Sequence, residues 1–147
     1  MSFENERKVI EKRFNKNFDS FLVPVQFENV GVLKKGTEVI KNTQDVEKFV
    51  RLTITGTGSQ QIDVGGNADR HFGLITVQIL TKSGLGSNMS RKIADQIKQI
   101  YNRAVFDGIV CQPSEITTFP ENADGWYQVN IDTPFYRDEK FTPLLNP

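Results

Sequence analysis

At 147 residues the chain is long enough to bury one core without disulfides or metals as staples, and too short for two full domains. Lys and Arg total 18 against 18 Asp and Glu, so no net field selects a polyanion or a membrane surface as partner. Hydrophobic residues at 37%, with 11 Phe among the aromatics, exclude a disordered chain. Cys111 is the single cysteine, which excludes an internal disulfide and a thiolate metal cage and suits a reducing cytoplasm. The first fourteen residues mix acids and bases without an apolar run, so no signal peptide is expected.

Phe3, Ile10, Phe14, Phe18 and Phe21 fall on one helical face and predict a helix over residues 2–22, with Ser2 as N-cap and Pro24 as the stop. Residues 25–30 read as a short strand. In residues 31–48, Lys34, Lys35, Gly36, Asn42, Thr43 and Gln44 dilute the apolar positions, which predicts a long, mobile arm rather than packed structure. Val50, Leu52 and Ile54 alternate with Arg51, Thr53 and Thr55 as in a half-buried strand, which Gly56, Thr57 and Gly58 should end. Pairing can resume at Gln60, and Gly65, Gly66, Asn67, Ala68 and Asp69 have the chemistry of a turn.

Residues 72–80 predict a strand, with Ile75, Val77 and Ile79 on one face. Met89, Ile93, Ile97, Ile100 and Ala104 then form the stripe of a second helix, expected to end at Asp107 and Gly108. Residues 109–114 and 126–132 predict the last strands, and the chain after Pro134 reads as irregular. The order gives an α+β class: a largely antiparallel β-sheet packed on one face by two α-helices, with a long arm after the first strand. A single domain is expected, with an ordered core over residues 3–137 and an irregular tail over 138–147.

Chemistry-bearing patterns are sparse. The segment Gly84, Leu85, Gly86, Ser87, Asn88 joins a strand to a helix, the context in which glycine loops hold phosphates. Met89 stands where a dinucleotide fingerprint needs its third glycine, and no Gly-Lys-Ser/Thr follows, so a connection with a helix cap is the simpler reading. His71 has Asp63 and Asp69 near it in sequence at no metal-ligand spacing. Cys111 falls on a predicted strand, where a small buried hydrophobe is the usual role. Glu115, Glu121 and Asp124 sit near a turn that offers no cleft to separate their acidities. The cations Arg7, Lys8, Lys12, Arg13 and Lys16 are interrupted by Glu6 and Glu11, and Trp126 with Tyr127 lacks interleaved bases, so solvated and packing roles are expected. No catalytic residues, cofactor or metal are expected.

A run of segments in fixed order carries a resemblance. They are the N-terminal helix, Pro24-Val25-Gln26-Phe27-Glu28-Asn29, Asp69-Arg70-His71-Phe72-Gly73-Leu74, Ile75-Thr76-Val77-Gln78-Ile79, Gly84-Leu85-Gly86, Asp124-Gly125-Trp126-Tyr127-Gln128-Val129 and Pro134-Phe135-Tyr136. Over about residues 3–137 the chain resembles the tail terminator, or tail-completion, proteins of tailed bacteriophages. The resemblance implies a small structural subunit, not an enzyme, that closes into a hexameric ring on the tail tube, halts its polymerisation and presents a surface to the head or neck. It implies as partners other copies of the chain, the tail tube protein and neck or head-completion proteins, with genomic DNA passing through without sequence-specific contact. It places the protein in the virion, and in the host cytoplasm before assembly. Val32-Leu33-Lys34-Lys35-Gly36-Thr37 replaces the proline-rich arm common in that family. Contacts are expected from Lys34, Lys35 and Gly36 and from the hairpin bearing Gly65, Gly66, Asp69, Arg70 and His71. The alternatives are a neck or head-completion connector and, further off, a phosphate- or nucleotide-binding enzyme built on residues 84–88.

Overall fold

The computed structural model describes residues 1–84, 87–119 and 125–144. Helix α1 spans Phe3–Asn17 and starts as its sequence dictates: the Ser2 hydroxyl accepts a hydrogen bond from the Asn5 N–H at 3.1 Å. Glu4 and Glu6 favour its positive end and Lys16 its negative end. The helix stops at Phe18, whose backbone is extended, well before Pro24. Asp19 explains the early stop, because its carboxylate accepts from the Phe21 N–H and its carbonyl from those of Leu22 and Val23, a local turn that competes with helix. Ile10, Phe14 and Phe18 are buried, whereas Phe3 and Phe21 are exposed.

Strand β1 (Val25–Phe27) pairs in parallel with β4 (Lys48–Gln61), and the short hairpin β2 (Leu33–Lys35) and β3 (Glu38–Ile40) extends the sheet beyond β1. Residues 31–48 are therefore sheet plus one 3-10 turn at Thr43–Asp45, not a free arm. Leu33 is the residue that decides this. It is 1% exposed and packs with Phe49, Leu80 and Trp126 on the sheet face away from the helices, where Ile40 and Val46 cover it. Neighbouring lysines hid that apolar set from a reading by composition.

β4 and β5 (Ala68–Lys82) form a long antiparallel hairpin. Gly56-Thr57-Gly58 does not end β4. Gly56 opposes Gly73 and Gly58 opposes Phe72, so Thr57 is the extra residue of a β-bulge and the ladder continues to Gln61. Helix α2 (Ser87–Tyr101) buries Ile93, Ala94, Ile97, Ile100 and Tyr101. It ends at Tyr101, ahead of Asp107 and Gly108, which form the two-residue turn between β6 (Val105–Phe106) and β7 (Ile109–Cys111). Their φ values of 43° and 85° are those a tight hairpin turn of this length requires.

Strand β8 (Glu115–Phe119), missed in the sequence, pairs with β9 (Trp126–Lys140). β9 runs well past Pro134 and pairs with β5 along its whole length, which moves the irregular tail to residues after 140. The result is an α+β protein with a nine-stranded, mostly antiparallel sheet in the order β3-β2-β1-β4-β5-β9-β7-β6, β8 lying beside β9. The main core joins one sheet face to the two helices through Val50, Ile79, Val129, Ile10, Phe14 and Ile97. Gln26, Arg51 and Gln78 hydrogen-bond across the opposite face, half-buried beside the Leu33 set, where alternation along the strands puts them.

Candidate functional site

Residues singled out in the sequence fall in two places. Lys34, Lys35 and Gly36 lie on the β2–β3 hairpin, whereas Gly65 and Gly66 form the tip of the β4–β5 hairpin and Asp69, Arg70 and His71 follow it on β5. Arg70 is paired with Gln60, which is about 30 Å along β4 from the level of Val50 and β1. The structure therefore does not assemble these residues into one site.

Gly36 has a structural task. Its φ of 62° starts the β2–β3 turn, its N–H donates to the Ser20 carbonyl at 3.1 Å, and a side chain there would collide with the Phe21 ring. At the other hairpin, Asp63 organises the tip: its carboxylate accepts from the Asn67 N–H and its carbonyl from the Gly66 N–H, each at 3.1 Å. Val64 projects from this tip and is fully exposed.

Arg70 and His71 point to opposite faces, as neighbours on a strand must. On the face away from the helices the Arg70 guanidinium grips both carboxylate oxygens of Asp138, at 2.8 and 3.1 Å, and lies 4.1 Å over the Tyr136 ring. That hydrogen-bonded pair holds the Asp138 carboxyl below the usual carboxylate range. On the helix face, His71 Nδ1 is 2.6 Å from Ser59 Oγ and its Nε2 is 3.1 Å from Glu139 Oε2.

Beside His71 in the ladder is Arg137, which is 0% exposed and which the sequence reading left at the edge of a tail. Its Nε donates to Glu6 Oε1 at 2.7 Å, its Nη1 donates to the Met1 carbonyl at 2.6 Å, and Glu139 lies 3.7 Å away. Phe3 covers the group, its ring 4.8 Å from the guanidinium and 5.2 Å from His71. The set fastens the start of α1 to the sheet. The hint in the sequence was the alternation of Thr133, Phe135 and Arg137 carried across Pro134.

Hydroxyl, imidazole and carboxylate in series also form the chain used by nucleophilic hydrolases. Here the carboxylate is shared with Arg137, and the imidazole is capped by Phe3. Cys111 is not brought to His71. It is buried in the core under the helices, and burial pushes its thiol up to about 12, which keeps it protonated and unreactive. Among the described residues no group of three or more His, Cys, Asp or Glu is placed to hold a metal ion, and no helix is long and apolar enough to cross a membrane. Within the glycine segment, Leu85 and Gly86 lie outside the described residues, and Gly84, Ser87 and Asn88 are exposed. Glu121 and Asp124 also lie outside them.

The fold thus defines an α+β protein whose prominent surfaces are a long hairpin and open sheet edges. No protein-family model matches the chain, and no curated protein matches it. Four solved chains are similar. One of them, named by an identifier that carries no functional word, superposes with a TM-score of 0.56 at 17% identity, covering 94% of this chain and 98% of that chain. At that identity the likeness establishes the shared fold.

Proposed function

We propose that the chain is a structural subunit of a tailed bacteriophage, a tail terminator that joins other copies in a ring on the tail tube and offers a docking surface to the neck. The fixed order of the resembling segments supports this reading. The structural observation that carries it is the β4–β5 hairpin: from Thr55 to Gln61 every residue of β4 is exposed, and the tip beyond it projects Val64 into solvent. The exposed outer half of β4, joined to a tip that Asp63 stabilises, is suited to reach a neighbouring subunit or tube.

In this reading the protein is not an enzyme, and Ser59, His71 and Glu139 serve to seat Phe3 and the start of α1. The native particle mass, by sedimentation or single-particle imaging of assembled virions, tests the proposal. A ring of fixed stoichiometry at the tail end is expected, and absence of the chain from virions overturns it. Shortening the tip from Ile62 to Gly66 should leave a folded protein that fails to assemble. Labelling of Ser59 by a fluorophosphonate probe would overturn the non-enzymatic assignment.

A further inference from the structure

The ladder registers place two open edges of the sheet on one level. Thr118 on β8 opposes Val129, which continues through Ile79, Val50, Val25 and Lys34 to Val39 on β3. Among the described residues, β3 pairs only with β2 and β8 only with β9. A seven-strand row therefore ends in a strand without an outer partner on each side. Such edges carry unpaired backbone donors and acceptors that accept another strand unless charge or proline blocks them.

Neither edge strand contains proline, and each carries a single charge at one end: Glu38 on β3, and Glu115 on β8, whose other residues are Ile116, Thr117, Thr118 and Phe119. All five are exposed, Ile116 at 47%. On β3, Val39 is 53% exposed on the helix side of the sheet, the side that Ile116 and Thr118 also occupy through their partners Ile131 and Val129. Around the β3 edge the cations Lys34, Lys35, Lys41 and Lys48 stand against the acids Glu38, Asp45 and Glu47, whereas Glu115, beside Asp132, marks the other edge.

We infer that copies of this chain join head to tail, β3 of one pairing with β8 of the next. The inference rests on the ring reading above, and it names the contact. Strand directions support it. β3 runs with β1 and β4, β8 runs against β9, and the ladder between them makes β3 and β8 antiparallel when a second copy continues the sheet with the same face under its helices. On the level register Val39 opposes Thr118 and Lys41 opposes Ile116, so Val39 and Ile116 become diagonal neighbours on one face, and Asn42 meets Glu115. Because the two edges are different patches, the contact is heterologous, the kind that generates rings.

The test is a disulfide trap in the full chain with Cys111→Ala. Val39→Cys combined with Thr118→Cys should give a ladder of covalent multimers on mild oxidation at high protein concentration, while Val39→Cys with Gln60→Cys should not. A second variant, Ile116→Lys with Thr118→Lys, changes exposed positions and should keep the wild-type melting temperature while abolishing self-association. Failure of the Val39 and Thr118 pair to cross-link overturns the inference, as do oligomers that persist in the lysine variant. A particle of fixed mass that survives the lysine changes keeps the ring and rejects these edges. Open multimers without fixed mass that are trapped through them keep the edge contact and reject the ring.

Discussion

The Tyr101 hydroxyl donates to the Ile10 carbonyl at 2.7 Å, fully inside the protein, and so ties the last residue of α2 to the middle of α1. Tyr101→Phe keeps the ring, which packs edge-on to Phe14, and removes this one bond. A loss of about 0.5–1.5 kcal/mol in denaturant unfolding is expected. Burial also pushes the phenol well above its ordinary value. The folded state therefore holds a proton that the unfolded state releases near pH 10, so this contribution is intact below roughly pH 10 and fades as pH rises beyond it. Alkaline unfolding should be shallower in Tyr101→Phe.

Gly73 lies under Phe135, its ladder partner, and a methyl group there would overlap the ring. Gly73→Ala should destabilise by about 1–3 kcal/mol. The two positions are coupled, so in a Phe135→Val background the same alanine should have a smaller effect, measurable as a non-additive double-mutant cycle.

Arg137→Met should unfasten the start of α1. Removing one member of a buried ion pair destabilises by roughly 3–5 kcal/mol, here tempered because Glu6 and Glu139 keep some access to water. Hydrogen exchange should rise across the first turns of α1 before it rises at Ile97. Equal acceleration at both places would show that Arg137 supports the whole core rather than a local latch.

Asp138 supplies the acid limb. Its carboxyl is held low by Arg70, so its stabilisation is present above about pH 4 and is lost as pH falls through the lower folded value. The pair is exposed, which makes the effect small. Asp138→Asn should lower stability slightly at neutral pH and flatten the pH dependence of unfolding below about pH 4.

Cys111 should resist alkylation in the native state at pH 8 and react once unfolded, because its thiol is buried and raised to about 12. Modification at equal rates in folded and unfolded protein would contradict that burial.

Periodicity made most of this fold readable. Val50, Leu52, Ile75, Val77 and Ile79 alternate as their strands require, and Ile93 and Ile97 mark the buried side of α2. Where the reading failed, a local signal was outvoted by a distant one. Gly56-Thr57-Gly58 looks like a break, yet pairing of both flanks with β5 turns it into a bulge. Residues 31–48 look like an arm because the apolar partners of Leu33 and Ile40 lie outside the segment, Phe49 just beyond it and Leu80 and Trp126 far away in sequence. The helix-face network was invisible for the same reason: Glu6, Ser59, His71 and Arg137 come from four elements, and no spacing links them.

Arg137 is synthesised 131 residues after Glu6, the carboxylate it holds. Helix α1 can form early, but the guanidinium that fixes its first turn, and the strand that completes the central ladder, leave the ribosome after every other described element of the fold. Until then Phe3 lacks the guanidinium it covers, and the β9 side of β5 has no strand to pair with. Folding must therefore wait for β9, and the nascent chain spends its synthesis with a long unpaired strand in view of every other copy being made nearby.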